Sequence, residues 1–122
     1  MDVTAKPPGG DCKAVGEILS RVGDKWSIQI VVALRSGPRR FNEIKRRVGG
    51  ISQQMLTRTL KTLERDGMVE RTVRPSTPPQ VDYTLTPLGH SLSETVHQLA
   101  EWAAAHRGNI EDNRLRYDGR QV

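Results

Sequence analysis

The sequence predicts a single, mainly α-helical domain that carries one β-hairpin. Its 122 residues are fewer than the roughly 200 at which chains usually divide into two domains. Apolar residues recur at helical spacing along most of the chain, whereas strict alternation of apolar and polar residues is confined to residues 69–85. Helices around one small core, with a hairpin at its edge, account for these observations.

Two helices are predicted before residue 36. The first spans Cys12–Val22, where apolar residues recur at helical spacing, and Gly23 ends it. Asp24 has a side chain suited to an N-cap, so the second helix should span Lys25–Arg35. Its broad apolar stripe indicates a central and mostly buried helix. Ser36-Gly37-Pro38 breaks it, because proline cannot donate a backbone hydrogen bond to a continuing helix.

A short helix and a longer one follow, joined by a glycine pair. The third helix should run from Asn42 to Val48, with Lys45, Arg46 and Arg47 on its polar side, and Gly49-Gly50 stops it. The fourth should begin after Ser52, whose hydroxyl can cap the free amides, and end at Asp66. The pair has the order and the short connection of a helix-turn-helix.

Two antiparallel strands are predicted next, over Val69–Arg74 and Val81–Leu85. The segment between them, Pro75–Pro79, should form a stiff polar tip. A helix-turn-helix followed by such a hairpin is a winged helix-turn-helix.

The last long helix should open at Thr86-Pro87, which has N-cap and N1 chemistry, and extend to about Arg107. Residues 110–117 have the pattern of one more short helix. The predicted organisation is therefore a flexible arm (1–10), a winged helix-turn-helix domain (11–107) and a C-terminal extension (108–122).

Positive charge is concentrated in the middle of the chain. The whole sequence has 19 Lys and Arg against 14 Asp and Glu, a net charge of +5. Residues 35–74 alone carry eleven basic and four acidic side chains, a net charge of +7, whereas residues 75–106 contain three acids and neither Lys nor Arg. A basic block of this kind favours an anionic partner, and we expect double-stranded DNA.

The polar face of the fourth helix predicts base recognition. A helix fits the major groove of B-DNA, where Arg and Lys suit guanine and Gln and Asn suit adenine. The candidate base-reading residues are Gln53, Gln54, Thr57, Arg58 and Lys61. The alternatives are an ordinary amphipathic helix or a winged-helix module that binds protein, although the latter would expose apolar or mixed side chains on this face.

The other polar residues of the basic block suit phosphate contacts, which supply affinity and register without sequence information. The candidates for contacts to phosphate or by the wing are Arg39, Arg40, Lys45, Arg46, Arg47, Ser52, Arg65, Arg74, Ser76 and Thr77. A plain proline-rich loop is the alternative for the hairpin tip.

A dimer is predicted because the apolar stripe of the last helix extends past any core that three helices and a hairpin can form. The expected interface residues are Val15, Leu92, Val96, Leu99 and Trp102. Two-fold symmetry would then match a palindromic DNA site.

Several other classes are disfavoured. No apolar run reaches the roughly 18 residues of a membrane span, so we expect a cytoplasmic protein without a membrane partner. His90, Glu94, His97 and Glu101 have the helical spacing of metal ligands, but they lie opposite the apolar stripe, where a solvated face belongs. We therefore expect no metal, no cofactor and no enzymatic activity.

The motifs resemble the HxlR-type bacterial transcriptional regulators, relatives of the MarR group, over roughly residues 12–117. The resemblance implies a homodimeric winged-helix protein that binds palindromic operator DNA and has its first and last long helices in the dimer interface. Asp82 stands where glutamate is usual in this family. The motifs that carry the resemblance include Gly23-Asp24-Lys25-Trp26, Gly37-Pro38-Arg39-Arg40-Phe41-Asn42-Glu43-Ile44, Gly50-Ile51-Ser52, Met55-Leu56-Thr57, Leu63-Glu64-Arg65-Asp66-Gly67, Val81-Asp82-Tyr83 and Trp102.

Cys12 is the single cysteine of the sequence, so it cannot close an intrachain disulfide. Family members commonly have a cysteine at this place, and in some it senses quinones, aldehydes or oxidants. Two interpretations stay open, a sensor thiol or a packing residue at the dimer interface, and a small-molecule effector is a further expectation.

Overall fold

The computed structural model describes residues 11–120, so the predicted arm at residues 1–10 lies outside the described residues. It shows a mainly helical winged helix-turn-helix, which confirms the predicted fold class. The elements follow the order α1 (Cys12–Val22), α2 (Lys25–Leu34), β1 (Arg39–Arg40), α3 (Phe41–Val48), α4 (Gln53–Arg65), β2 (Val69–Arg74), β3 (Gln80–Leu85) and α5 (Pro87–Arg120).

Three helices begin at the residues that the sequence marks as caps. Asp24 Oδ2 accepts hydrogen bonds from the backbone N–H of Trp26 and Ser27 at 3.1 and 3.3 Å. Ser52 Oγ accepts from Met55 N at 3.0 Å, and Thr86 Oγ1 accepts from Gly89 N at 3.1 Å. Each bond satisfies an amide that has no partner within its own helix, which places the first turns of α2, α4 and α5.

A buried apolar cluster holds α2 at the centre of the domain, as its broad stripe predicts. The side chains of α2 pack against the inner faces of α3 and α4 and against the base of the hairpin. The cluster contains Ile30, Val31, Leu34, Ile44, Ile51, Leu56, Leu60, Leu63, Met68, Val69 and Leu85. Because α3 and α4 both pack on this rigid centre, the polar side of α4 faces outward.

The hairpin belongs to a three-stranded antiparallel sheet in which β3 is central. The sequence predicted β2 and β3, but it did not predict β1, which pairs Arg39 with Tyr83 and Arg40 with Asp82. A strand of two residues is too short to show an alternating pattern, and only its pairing with distant residues defines it. This added strand brings the start of α3 beside the hairpin.

Helix α5 is continuous from Pro87 to Arg120, which corrects the prediction of an end near Arg107 and a separate short helix at residues 110–117. Gly108 weakens a helix without breaking it, and the chain has no proline after Pro87 that would force a break. An ion pair between Arg107 Nε and Glu111 Oε1 at 2.9 Å spans the position of Gly108. At 1.5 Å per residue, 34 residues give a rod about 51 Å long.

The start of α5 is fixed tightly against the loop that follows α4. Thr86 N donates to Met68 O at 3.1 Å, and Thr86 Oγ1 donates to Gly67 O at 2.6 Å. A Cβ at Gly89 would collide with the carbonyl oxygen of Met68. Only glycine allows the helix to approach the backbone this closely.

Candidate nucleic-acid interface

Helix α4 separates its core residues from its candidate base-reading residues. Leu56, Thr59, Leu60 and Leu63 are buried. Gln53, Gln54, Arg58 and Lys61 are exposed, and Thr57 is half-buried. The structure thus brings all five candidate readers to one outward side, and the two glutamines lie in its first turn.

The turn before α4 depends on its glycine pair. Gly49 and Gly50 have φ angles of 68° and 75°, in the left-handed region that glycine adopts without strain. Ile51 and Leu56 are then buried on either side of the cap at Ser52, which anchors the first turn of α4 to the core. The amino end of the candidate reading helix is therefore held by packing as well as by capping.

Lys45, Arg46 and Arg47 lie in the last turn of α3, directly before this turn, and all three are exposed. The amino end of α4, which carries the positive end of the helix dipole, follows within a few residues. The cations and the dipole add to one positive region, as an anion-binding surface requires.

Arg39 lies differently from the other basic candidates. Its Nε donates to Ala33 O at 2.9 Å, its Nη2 donates to Ser36 Oγ at 3.0 Å, and its Nη1 lies 3.8 Å from Glu43 Oε2. With 17% of the side chain exposed, the guanidinium mainly ties β1 to the end of α2. The structure does not bring Arg39 into the outward-facing basic set.

The wing carries Arg74 at the end of β2 and an exposed tip at residues 75–79. Ser76 Oγ donates to Pro78 O at 2.7 Å, so the tip has a hydrogen bond of its own, and Thr77 beside it is exposed. Arg65 is also exposed, but it lies at the far end of α4, roughly 18 Å along the helix from Gln53 at 1.5 Å per residue.

The sequence missed two polar residues of the central strand. Asp82 Oδ2 lies 2.7 Å from Arg74 Nε, and Asp82 Oδ1 lies 4.0 Å from Arg40 Nε. Gln80 Oε1 accepts a hydrogen bond from Arg40 Nη2 at 2.7 Å. The antiparallel hairpin alone places Arg74 opposite Gln80, but the position of Arg40 depends on β1, for which the sequence has no signal.

Tyr83 lies between Asp82 and Thr84 on the same central strand, with Arg39 as its register partner in β1 and Arg71 in β2. Burial raises the pKa of Tyr83 above its usual value of 10.0, while Arg71 acts in the opposite direction. The phenol therefore stays neutral at physiological pH and contributes packing rather than charge.

The candidate dimer residues lie on α1 and α5. Val15, Leu92 and Val96 are half-buried, whereas 59% of Leu99 and 54% of Trp102 are exposed. Within the described chain α1 has no buried residue, and Ile18 and Leu19 are also more than half exposed. This apolar surface on α1 and α5 is exposed in one protomer.

Three residues of the polar stripe of α5 make ordinary side-chain contacts with other polar residues. His97 Nε2 lies 2.7 Å from Glu101 Oε1, and Glu94 Oε1 accepts from Arg35 Nη2 at 3.3 Å. Over residues 11–120, three or more His, Cys, Asp or Glu side chains do not come together as a metal site. Within this part of the chain, no helix combines the length and the apolar content needed to cross a membrane.

A model of the HxlR-like helix-turn-helix family matches residues 21–111. The chain belongs to this family. It is similar to the HTH-type transcriptional regulator YtfH of Escherichia coli K12, with 46% identity over 86 residues that cover 70% of this chain and 68% of YtfH. The resemblance that the motifs carry is thereby confirmed, and the chain is a DNA-binding transcriptional regulator of the HxlR type.

Two solved structures extend the comparison to the fold. The redox regulator HypR in its reduced form matches with a TM-score of 0.74 and 38% identity, and the match covers 81% of this chain and 98% of HypR. A MarR-family regulator from Enterococcus faecalis V583 also gives a TM-score of 0.74, with 30% identity over 88% of this chain and 99% of that one. The predicted relation to the MarR group is confirmed as well, and the relatives of this family are regulators rather than enzymes.

Proposed function

We propose that this HxlR-type regulator binds palindromic operator DNA as a cytoplasmic homodimer and reads each half-site with α4. The observation that carries the proposal is the outward side of α4. Gln53, Gln54 and Arg58 are exposed there, and the basic turn of α3 lies directly before the helix. A partner-protein surface would expose apolar or mixed side chains on this side, so the Gln, Thr, Arg and Lys found there favour DNA.

The polar residues divide into two roles. Gln53, Gln54, Thr57, Arg58 and Lys61 contact base edges, so their loss changes which sequences are preferred. The other polar residues of the basic surface contact the phosphates, and they set the affinity for DNA and the position of the protein along the duplex. The proposed phosphate and wing contacts are made by Arg40, Lys45, Arg46, Arg47, Ser52, Arg74, Ser76 and Thr77.

The dimer forms through the apolar sides of α1 and α5. Helix α1 has no fully buried residue in the described protomer, and Leu19, Leu99 and Trp102 are 62%, 59% and 54% exposed. Burying such side chains against a second copy supplies the hydrophobic free energy that one protomer leaves unused. Two-fold symmetry then presents two copies of α4 about 34–36 Å apart, one turn of B-DNA.

Selection of bound fragments from a random DNA pool tests the function. The wild-type protein should enrich a palindrome, and Gln54→Ala should enrich a pool with relaxed preference at particular base pairs. Arg114→Ala, which removes a charge far along α5, should enrich the wild-type sequence. A wild-type pool without any shared sequence would instead favour the protein-interaction module.

Cys12 is proposed as the sensor of an oxidant or electrophile. It is the first residue of α1 and is half-buried. The relative HypR is described as a redox regulator, and modification at the start of α1 would act on the proposed dimer interface. Diamide, a quinone or an aldehyde should release the operator from the wild-type protein but not from Cys12→Ser. Equal behaviour of the two proteins would leave Cys12 as a packing residue and favour a small-molecule effector.

A further inference from the structure

Asp82 is the meeting point of two arginines from opposite edges of the sheet. It lies on the central strand β3, in register with Arg40 of β1 and Thr72 of β2. Its Oδ2 lies 2.7 Å from Arg74 Nε and its Oδ1 lies 4.0 Å from Arg40 Nε. Gln80 on the same strand accepts from Arg40 Nη2 at 2.7 Å. Two polar side chains of β3 thus hold both guanidinium groups.

The two arginines stay open to a ligand while they are held. The Asp82 side chain is 15% exposed, whereas those of Arg40 and Arg74 are 56% and 63% exposed. An arginine has five N–H donors in a fixed fork, and Asp82 is contacted through Nε in both cases. The close contact with the carboxylate therefore fixes the orientation of Arg74, whereas Arg40 is oriented by its hydrogen bond to Gln80 and attracted by Asp82 at longer range, and both arginines keep Nη donors for an incoming phosphate.

Arg40 also lines one open cleft together with Arg46 of α3 and with the wing residues Pro79 and Gln80. The arrangement therefore joins the sheet arginines to the basic turn of α3. Ion pairs this exposed add little to folding stability, so their effect on orientation is the more important one.

We propose that Asp82 is a positioning residue for DNA binding, which orders Arg40 and Arg74 for contact with the phosphate backbone. The inference rests on the proposed function. It adds to the proposed DNA-binding residues an aspartate, whose negative charge has the same sign as that of DNA. Asp82 and Gln80 already order both arginine side chains in the free protein, so less side-chain entropy is lost when the complex with DNA forms.

The sign of one substitution separates positioning from simple electrostatics. Asp82→Asn removes a negative charge from a DNA-binding surface, so electrostatics alone would strengthen binding to every DNA. Positioning requires the opposite result. We expect operator affinity to fall about tenfold at low salt, because the two Arg74 side chains of a dimer lose their carboxylate partner and would have to be ordered on binding, while Gln80 still holds Arg40. The slope of log K against log salt should fall by about one or more.

Glu70→Gln is the matched control, because Glu70 is an exposed acid on β2 of the same hairpin. Its neutralisation should not lower operator affinity. Asp82→Glu keeps the carboxylate and should retain the wild-type affinity and salt slope. If Asp82 had a purely steric role, the longer side chain of glutamate would disturb binding.

A double-mutant cycle adds a readout that depends on the pair itself. Arg74→Ala should cost clearly less affinity in the Asp82→Asn background than in the wild type. If circular dichroism shows that Asp82→Asn does not fold, Gln80→Leu tests the same arrangement by removing the acceptor of Arg40, and it should lower the salt slope in the same direction.

The outcomes are distinct from a failure of the proposed function, in which the wild-type protein itself would enrich no operator. With an operator in hand, tighter or unchanged binding by folded Asp82→Asn, at an unchanged salt slope, would overturn the inference. Additive losses in the double-mutant cycle of Asp82→Asn with Arg74→Ala would also overturn it. If Gln80→Leu replaces Asp82→Asn, a salt slope equal to that of the wild type would have the same consequence.

Discussion

Arg46→Ala provides a quantitative test of the division between phosphate contacts and base contacts. Arg46 is exposed in the basic last turn of α3, outside the reading side of α4. Each neutralised phosphate contributes about 0.9 to the slope of log K against log salt, so its loss from both half-sites should lower the slope by about 1.8. Between 50 and 200 mM salt, the affinity deficit of the variant should therefore shrink about twelvefold.

The measurement is a salt titration of binding by fluorescence anisotropy, on the selected operator and on a random duplex. Arg46→Ala should weaken binding to both DNAs alike. Arg58→Ala should instead lose about 1–3 kcal/mol of discrimination per half-site. Arg114→Ala, with the same charge removed from the far part of α5, should keep the wild-type slope. An unchanged slope for Arg46→Ala, or equal losses on both DNAs for Arg58→Ala, would refute the assignment.

Three further predictions concern assembly and stability. Leu99→Asp should give a monomer in sedimentation at micromolar concentration, because it places a charge in the proposed apolar interface; a dimer would contradict that interface. Gly89→Ala should lower the free energy of unfolding in urea by about 1–3 kcal/mol, since the methyl group meets the Met68 carbonyl, whereas Gly108→Ala on the same helix has open space and should raise it by up to about 1 kcal/mol. Because the pKa of Tyr83 is raised in the folded protein, the unfolded chain releases the phenol proton at a lower pH than the folded protein does. The stabilising contribution of Tyr83 is thus fully present below pH 10 and is lost as the pH rises further, so the wild-type free energy of unfolding should fall more steeply above pH 10 than that of Tyr83→Phe. Parallel curves for the two proteins would contradict the raised pKa.

Local chemistry explains why most of the fold could be predicted. The caps at Asp24, Ser52 and Thr86 act on amides two or three residues away, so the sequence contains both partners. The apolar spacing of α2 and α4 likewise reports which side faces the core. The same spacing identifies the exposed side of α4, and with it all five candidate base-reading residues.

Features that depend on distant residues could not be predicted in the same way. Strand β1 exists because Arg39 and Arg40 pair with Tyr83 and Asp82, more than 40 residues away. The internal contacts of Arg39 follow from that pairing, and so does the approach of Arg40 to Asp82. From sequence alone, Arg39 and Arg40 are two equivalent cations. In the structure Arg39 is hydrogen-bonded to Ala33 O inside the protein, whereas Arg40 stays exposed at the surface.

The close contact between Gly89 and Met68 turns α5 into a lever with a fixed pivot. The pivot lies at the loop that leaves α4, and the arm beyond it extends 31 residues to Arg120, or about 47 Å at 1.5 Å per residue. A rotation of about 5° at this pivot would displace the far end by about 4 Å by the same geometry. In the proposed dimer the converse also holds. A shift of a few ångströms between the two arms corresponds to an angular change of only about 5° near α4, and over the roughly 18 Å between the ends of α4 this angle amounts to about 1.6 Å, so the long arm converts large movements at its end into small adjustments of the reading helix.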